Sequence, residues 1–224
     1  MSEPDLVIVT IDGGAASGKS STARALSERF NLLHVDTGAF YRTVTLALLA
    51  KGVDGDDTAE IEKALPKLKI ATRVSGRLAL MELDGEVPGE ALRSHEVNNN
   101  VSKFAAQPAV RTFLYSYQRN QTKVAGERGL PGVVMEGRDI GSIIFPDAEF
   151  RFFLRASQEE RQRRRTDQGE HDEIGKRDTI DSGRKTAPLI CPQGAIAIDS
   201  THLSLEEVVE RMSRVIEKKL PHST

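Results

Sequence analysis

Residues Gly13–Ser20 read Gly-Gly-Ala-Ala-Ser-Gly-Lys-Ser, a complete GxxxxGKS phosphate-binding loop. The apolar run Leu6–Ile11 before the loop predicts a buried strand, and the amphipathic segment Lys19–Phe30 after it predicts a helix. Such a loop turns successive backbone N–H groups toward phosphate oxygens, and the helix dipole favours the same anion. In this motif the Lys19 ammonium reaches the outer phosphates and the Ser20 hydroxyl ligates Mg²⁺. The stretch therefore predicts an α/β fold with a nucleotide site and leaves the reaction open.

Apolar or β-branched runs, which indicate buried parallel strands, alternate with segments whose apolar residues recur every three or four positions, the pattern of helices. The predicted strands are Leu6–Ile11, Leu32–Val35, Val133–Met135, Phe150–Leu154 and Ala195–Ile198. The predicted helices are Lys19–Phe30, Ala39–Leu49, Val110–Val124, Gln158–Arg165 and Leu205–Leu220. Ser204 and Glu207 form a capping-box pattern at the start of the last helix. The alternation predicts an α/β fold with a five-stranded parallel sheet covered on both faces.

Two segments interrupt this alternation. Lys69–Val74 and Leu78–Leu83 alternate between apolar and polar residues as antiparallel strands do, with a Ser-Gly turn between them. They predict a small antiparallel sheet inserted into the parallel core. The second segment, Arg161–Pro188, is densely charged and almost without apolar residues, which is typical of a mobile flap.

Composition narrows the classes of protein that fit the chain. Its 224 residues are 38% hydrophobic and 29% charged, which is ordinary for a soluble globular domain. A formal net charge of −2 gives no reason to expect a nucleic-acid or anionic-membrane partner. The apolar run near the N-terminus is too short for a signal sequence or a membrane span, so we expect a cytoplasmic protein. Cys191 is the only cysteine, which excludes an internal disulfide and a cysteine-built metal site.

Charged residues follow the second and third predicted core strands, at the edge where open α/β sheets bind ligands. Asp36–Arg42, which reads DTGAFYR, follows the second strand. Glu136–Gly141, which reads EGRDIG, follows the third, and its glycines allow close approach of the backbone to a ligand. Phosphoryl transfer requires positive charge around two phosphate groups. We therefore expect functional roles for Arg138 and Asp139. Arg42 could hold a second phosphate, but a lone arginine near the start of a helix is more often a solvated surface residue.

Further arginines lie in the predicted flap. Four of them fall between residues 161 and 165, after a pair of glutamates, and at least two of the four fit a solvated helix face with ion-pair neighbours. Arg177, Asp181 and Arg184 recur at four- and three-residue spacing, which gathers them on one face of a helix. Such a face can be a self-satisfied ion-pair strip. Beside a phosphate-binding loop, it favours a clamp that closes over phosphates.

Taken together, these motifs resemble bacterial cytidylate (CMP) kinases, which are P-loop nucleoside monophosphate (NMP) kinases, from about Val7 to Leu220. The phosphate loop alone is shared by many families. The specific combination is Asp36–Arg42, Gly89–Arg93, Glu136–Gly141 and Arg177–Leu189. The resemblance implies a single domain with the three-layer P-loop NTPase fold. Its core would be residues 1–36, 112–158 and 189–220, with an NMP-binding insertion at about 37–111 and a short helical lid at about 159–188.

The resemblance also implies that a monomer transfers the γ-phosphoryl group of ATP to CMP or dCMP with the help of Mg²⁺. The implied catalytic residues are Lys19, Arg138, Arg177 and Arg184. The implied ATP-binding residues are Gly13, Gly14, Ala15, Ala16, Ser17, Gly18, Lys19, Ser20, Ser21, Arg161 and Arg164, and Ser20 is the implied Mg²⁺ ligand. The implied CMP-binding residues are Asp36, Tyr41, Arg42, Ser102, Arg111, Arg138, Asp139, Arg177, Asp181 and Arg184. Which of Arg163, Arg164 and Arg165 reaches the donor phosphates stays open.

Within the CMP group, the resemblance implies a division of roles. Ser102, Arg111 and Asp139 would read the cytosine ring, and Arg177 and Asp181 would address the sugar. Two alternatives to a CMP kinase fit the phosphate loop: a kinase for another small acceptor, such as UMP, AMP or shikimate, and a nucleotide-dependent switch. A guanine-reading switch would carry an Asn-Lys-x-Asp segment, which the sequence lacks.

Overall fold

The computed structural model describes residues 6–167, 183 and 187–219. The strands are β1 (Val7–Gly13), β2 (Leu33–Asp36), β3 (Ile70–Ser75), β4 (Leu78–Leu83), β5 (Gly132–Gly137), β6 (Phe150–Arg155) and β7 (Ile196–Asp199). The helices are α1 (Lys19–Phe30), α2 (Thr37–Leu49), α3 (Thr58–Ala64), α4 (His95–Ala106), α5 (Pro108–Arg119), α6 (Gln121–Glu127), α7 (Gln158–Asp167) and α8 (Leu205–Glu217). Shorter helical turns are Leu65–Lys67, Gly89–Arg93 and Ile140–Ile144.

One sheet contains all of these strands, in the order β3-β4-β2-β5-β1-β6-β7. β1 lies between β5 and β6 and is parallel to both, with Val9 opposite Val134 and Phe150. β2 is parallel to β5, and β7 is parallel to β6. The parallel strands therefore end at one edge of the sheet, where the phosphate loop after β1 meets the segments after β2 and β5. The predicted α/β class and parallel core are confirmed.

The number of strands in the sheet differs from the prediction of five, because the β3–β4 hairpin extends the main sheet to seven strands. The hairpin is antiparallel, as predicted, but it does not form a separate small sheet. β4 pairs parallel with β2, with His34 opposite Leu78 and Val35 opposite Ala79. Ala79 and Met81 are buried in the apolar cluster that also contains α2 residues, so the hairpin covers its apolar face by joining the sheet.

Apolar residues cover both faces of the sheet. Successive residues of a strand point to opposite faces. In β5, Val133 and Met135 belong to one buried cluster, and Val134 belongs to a second, on the opposite face. Leu26 of α1 and Met212 of α8 pack in the second cluster. Helices on both faces, as predicted, are thereby confirmed.

The structure confirms α1 residue for residue and corrects the predicted helix Val110–Val124. That segment forms two helices, α5 and α6, which meet at Asn120. Asn120 keeps right-handed helical angles, with φ of −64° and ψ of −13°, so the apolar pattern stays nearly in phase across the break and does not reveal it. At the start of α8, the Ser204 hydroxyl accepts from the Glu207 N–H and the Glu207 carboxylate accepts from the Ser204 N–H, which is the predicted capping box.

Helices α3 and α4 are absent from the prediction. α4 places Val97, Val101, Phe104 and Ala105 at helical spacing, but three consecutive asparagines, Asn98–Asn100, interrupt the apolar pattern with residues of low helix propensity. The caps were further signals, because the side chain of Asp57 accepts an N–H of α3 and that of Ser94 accepts an N–H of α4. In the ranges that the structure describes, no helix is long and apolar enough to cross a membrane.

The junction between β2 and α2 contains no loop. β2 ends at Asp36 and α2 begins at Thr37, two residues earlier than predicted. The Asp36 carboxylate caps the helix by accepting a hydrogen bond from the Ala39 N–H at 3.2 Å. One turn later, Tyr41 and Arg42 lie at the carboxyl edge of the sheet. The strand and its cap therefore set the direction in which α2 leaves that edge.

Candidate active site

The phosphate-binding loop joins β1 to α1, as predicted. A Cβ atom at Gly13 would lie 2.3 Å from the carbonyl oxygen of Leu154, so only glycine allows β1 and β6 to approach here. Gly18, directly before α1, has a φ of +96°, which glycine adopts without strain. The loop closes tightly against the sheet, and α1 begins at Lys19 with its N-terminus toward the loop.

Lys19 folds back over this loop. Its ammonium group donates to the Gly14 carbonyl oxygen at 2.6 Å and lies 3.5 Å from the Ser17 hydroxyl. The side chain is almost fully buried and lines the cleft at the carboxyl edge of the sheet. A cation is therefore held within the loop at the position where the motif requires one.

The cleft brings residues from both halves of the predicted site together. Its walls come from the phosphate loop, α2, α4, α5, α7 and the segment after β5. Predicted site residues along it are Ala15, Ala16, Lys19, Ser20, Asp36, Tyr41, Arg42, Ser102, Arg111, Arg138 and Asp139. Gly13, Gly14, Ser17, Gly18 and Ser21 complete the loop or begin α1. Arg177, Asp181 and Arg184 lie outside the described residues, as does most of the predicted flap.

A buried ion pair forms the end of the cleft that lies against α5. Arg111 donates from Nη2 to the Asp139 carboxylate and from Nη1 to the Ala105 carbonyl oxygen at 3.2 Å. Only 8% of Arg111 and 4% of Asp139 is exposed, so the pair is largely removed from water. The Arg111 guanidinium carbon lies 5.6 Å from the centre of the Tyr41 ring, and Ser102 lines the same wall. This end offers an acceptor and donors in fixed positions beside an aromatic face.

Two further arginines, Arg42 and Arg138, line the same cleft as the buried pair and the phosphate loop. Arg42 donates to the carbonyl oxygen of Leu92 at 2.9 Å and to the Asn98 side chain at 2.7 Å, which ties α2 to α4. Arg138 donates to the Gly13 carbonyl oxygen at 3.0 Å. Arg138 therefore connects the segment after β5 to the phosphate loop, and its charge lies between the two halves of the cleft.

Carboxylates and a hydroxyl group occupy the floor of the cleft. The Ser20 hydroxyl donates to Glu136 Oε2 at 2.7 Å, and Asp36 lies beside Glu136 on the neighbouring strand. Burial, and next the negative charge of Glu136, raise the pKa of the Asp36 carboxyl above its ordinary value. In the part of the chain that the structure describes, no group of three His, Cys, Asp or Glu side chains could hold a metal ion by itself. The oxygen donors fit Mg²⁺, which binds proteins through few ligands and completes its shell with phosphates and water.

Asp12 is a buried carboxylate below the loop. Its two oxygens accept the N–H groups of Ile140 at 2.8 Å and Gly141 at 2.7 Å. Burial raises the pKa of the Asp12 carboxyl to about 6, although both hydrogen bonds act in the opposite direction. This residue fastens the backbone that follows Asp139 to β1, the strand that leads into the phosphate loop.

We expect Asp12→Asn to change how stability depends on pH. Between the ordinary pKa of 3.8 and the folded value of about 6, the folded protein binds the extra proton, so the wild-type free energy of unfolding falls as pH rises. Asparagine does not titrate. The free energy of unfolding of the variant minus that of the wild type should rise by roughly 2 kcal/mol between about pH 4.5 and pH 7.5. Urea unfolding of both proteins measures this difference, and a value independent of pH would contradict it.

A family profile described as cytidylate kinase matches residues 9–218. The chain belongs to the cytidylate kinase family. Among the relatives, the "Cytidylate kinase" of Caldanaerobacter subterraneus subsp. tengcongensis is 41% identical over 223 residues, covering 95% of each chain. That of Anoxybacillus flavithermus is 39% identical over 225 residues, covering 96% of this chain and 97% of the relative. The resemblance inferred from the motifs is confirmed, and the chain is a kinase.

A solved structure supports the fold. A sugar kinase from Janibacter sp. HTCC2649 covers 95% of this chain and 95% of its own, with a TM-score of 0.51 at 11% identity. At that identity the likeness concerns the fold alone, and it agrees with the α/β architecture described above.

The flap arginines of this cytidylate kinase family member take separate positions. Arg161 donates to the carbonyl oxygen of Ala15 in the phosphate loop at 3.1 Å. Arg164 donates to Glu160 at 2.8 Å and to the Ser200 carbonyl oxygen at 2.7 Å, behind the loop. Arg165, which the prediction left as one of three candidates, is the one of the three that lines the cleft.

Two charged residues of the cleft, Glu136 and Arg93, were not considered for the predicted site. Glu136 begins the Glu136–Gly141 motif, but its partner Ser20 is 116 residues away, and no local sequence pattern predicts that contact. Arg93 ends the Gly89–Arg93 turn, whose motif was recognised without a role being given to the arginine.

Proposed function

We propose that this chain transfers the γ-phosphoryl group of ATP to CMP, and to dCMP, giving CDP or dCDP and ADP. The observation that carries the proposal is the buried Arg111–Asp139 pair, which shares one cleft with the phosphate-binding loop. The loop suits a triphosphate, and the buried pair suits a base at the far end. Membership of the cytidylate kinase family supports the same assignment.

Cytosine matches the chemistry of the buried end. Its edge presents an amino donor beside a ring nitrogen and a carbonyl oxygen, which both accept. Asp139 accepts from the amino group, and Arg111 and Ser102 donate to the ring nitrogen and the carbonyl oxygen. Uracil would turn a carbonyl oxygen toward the Asp139 carboxylate. A hydrogen bond to a charged group contributes about 1.5–3 kcal/mol, which corresponds to at least tenfold discrimination.

The arginines and Lys19 carry out the transfer mainly by positioning and charge. Arg42 and Arg138 hold the CMP phosphate, while Lys19 and Arg161 hold the ATP phosphates. The acceptor phosphate is already an anionic nucleophile, so no strong general base is needed. These preorganised cations stabilise the negative charge that spreads over the transferred phosphoryl group. They also hold the CMP phosphate in line with the γ-phosphate of ATP. Arg177 and Arg184 join this group from the lid in the same proposal.

We further propose that the Ser20 hydroxyl ligates Mg²⁺, with Glu136 and Asp36 beside it. The ion neutralises phosphate charge when it is bound with ATP. Ser20 contributes its oxygen, and Glu136 orients that hydroxyl through the 2.7 Å hydrogen bond. We also propose that the protein is a cytoplasmic monomer. Its core would be residues 1–36, 112–158 and 189–220, with the NMP-binding insertion at about 37–111. The lid, at about 159–188, would close over both nucleotides.

A panel of acceptors tests the proposed reaction. With ATP and Mg²⁺, we expect kcat/KM for CMP and dCMP to exceed that for UMP by at least about tenfold. AMP, GMP and shikimate serve as the other acceptors in the same assay. A higher kcat/KM for any of these than for CMP would contradict the base assignment. ATP hydrolysis that no acceptor accelerates would favour a nucleotide switch.

A further inference from the structure

Behind the cleft, a buried histidine contacts the carboxylate that holds Ser20. His34 Nε2 lies 3.0 Å from Glu136 Oε1, and the Ser20 hydroxyl donates to Oε2 of the same carboxylate. The three groups therefore form a continuous hydrogen-bonded chain from β2, through β5, to the start of α1. Glu136 and Ser20 line the cleft, whereas His34 does not.

The pairing of β2 with β5 places His34 and Glu136 close enough to form this contact. β2 and β5 are parallel, with His34 opposite Val134 and Asp36 opposite Glu136. Residues two apart in a strand share a face, so His34, Asp36 and Glu136 project on the same side of the sheet as Ser20. His34 is 6% exposed and Glu136 is 2% exposed. The contact is thus a consequence of strand pairing and does not depend on a surface side chain.

In the hydrogen bond between His34 and Glu136, the imidazole is the donor. A carboxylate can only accept, so the hydrogen lies on His34 Nε2 and the imidazole donates to Glu136. A buried carboxylate is costly unless its oxygens are hydrogen-bonded, and His34 and Ser20 each satisfy one oxygen of Glu136. Asp36 lies next to Glu136, and the negative charge of Glu136 is one cause of the raised pKa of Asp36. His34 and Arg42 act on Asp36 in the opposite direction.

We propose that His34 is a positioning residue that fixes the Glu136 carboxylate so that it holds the Ser20 hydroxyl in place for the metal–ATP complex. This inference rests on the proposed function for the role of Ser20. A glutamate side chain has several rotamers of similar energy, and neighbouring Asp36 repels it. Without a donor at position 34, the Glu136 carboxylate would no longer be confined to the rotamer that faces Ser20. His34 would act entirely through Glu136 and would touch neither nucleotide.

A matched pair of variants tests this role. In His34→Gln the amide nitrogen replaces Nε2 at about the same reach, whereas in His34→Asn the amide is one methylene shorter and cannot reach Glu136. Calorimetry of ATP binding with and without Mg²⁺ measures the gain in ATP affinity that the ion provides. We expect this gain to fall by roughly tenfold in His34→Asn, which is the size of effect seen when a residue that hydrogen-bonds to the surroundings of a metal ligand is lost. In His34→Gln the gain should stay within about threefold of wild type.

Steady-state kinetics provide a second measurement on the same proteins. We expect kcat to fall in His34→Asn and KM for CMP to stay within about twofold, because the acceptor pocket does not include His34. Equal effects of the Asn and Gln variants, or an unchanged Mg²⁺-dependent gain in the Asn variant, would overturn the proposal. The binding measurement needs no acceptor, so it remains decisive for His34 even if the acceptor panel disproves CMP as the substrate.

Discussion

Replacing Arg138 with alanine is expected to lower kcat/KM for CMP by about 10³-fold, because a preorganised cation between the two phosphates is lost. Arg138 is half-buried in the cleft and donates to the Gly13 carbonyl oxygen at 3.0 Å. Loss of one such hydrogen bond lowers stability by about 1–3 kcal/mol, which a folded domain of this size tolerates. Initial-rate kinetics with varied CMP and ATP give the decrease for each substrate.

The control for this experiment is Arg29→Ala, which removes an arginine from the surface. Arg29 pairs with Glu210 and Glu217 of α8, far from the cleft, and its side chain is 38% exposed. We expect the control to keep wild-type kinetics. Thermal unfolding without nucleotide separates the two possible roles of Arg138. A large fall in Tm in Arg138→Ala, together with wild-type kinetics in the molecules that remain folded, would identify a structural role instead.

Asp139→Asn is expected to reduce the preference for CMP over UMP by about ten- to a hundredfold. An asparagine amide can turn either its oxygen toward the amino group of cytosine or its nitrogen toward the carbonyl oxygen of uracil. The carboxylate can do only the first. The variant should lose kcat/KM for CMP and gain it for UMP. The ratio of the two values, measured at equal ATP concentration, reports the effect.

The same substitution also removes the charge that pairs with Arg111 in a buried position. Breaking a buried pair destabilises a protein by about 3–5 kcal/mol, so a lower Tm is expected as well. Asp147→Asn, an exposed change in the same β5–β6 connection, is the matched control and should change neither the Tm nor the ratio. If kcat/KM for CMP and UMP falls by the same factor in Asp139→Asn, Asp139 supports the fold of the pocket and does not read the base.

The parts of the fold that periodicity and turn residues determine were predictable from the sequence. The runs that became β1, β2, β5 and β6 are mostly apolar or β-branched because both faces of the central sheet are covered. The run that became the edge strand β7 is apolar as well, although Ile196 is exposed. The β3–β4 hairpin was visible as alternation around a Ser-Gly turn. Its attachment to β2 was not, because this pairing involves only His34 and Val35 of β2 and is a tertiary contact. α4 was missed although its apolar residues fall at helical spacing, because the asparagines Asn98–Asn100 give the segment a low helix propensity.

The candidate site also has parts that the sequence predicts and parts that it does not. Residues within motifs at strand ends, such as Arg42 and Asp139, could be named because the topology of a parallel sheet brings strand ends together. Which atoms touch could not be named. The Ser20–Glu136 and His34–Glu136 contacts join residues 116 and 102 positions apart, and each residue alone has an ordinary local explanation. The orientation of each flap arginine likewise depends on the partners that α7 meets, such as Ser200 for Arg164.

The direct junction of β2 with α2 has a consequence for how the length of this chain can vary. Adding one residue between Asp36 and Thr37 would advance α2 by about 1.5 Å and rotate it by about 100°. Tyr41 and Arg42 would then leave the cleft together, although every other residue of the helix would be unchanged. Most loops absorb such an insertion by bending, but no loop exists at this position. The number of residues from the end of β2 to Tyr41 and Arg42 is therefore fixed. An insertion or a deletion at this junction would impair the site even if it changed no residue of the cleft.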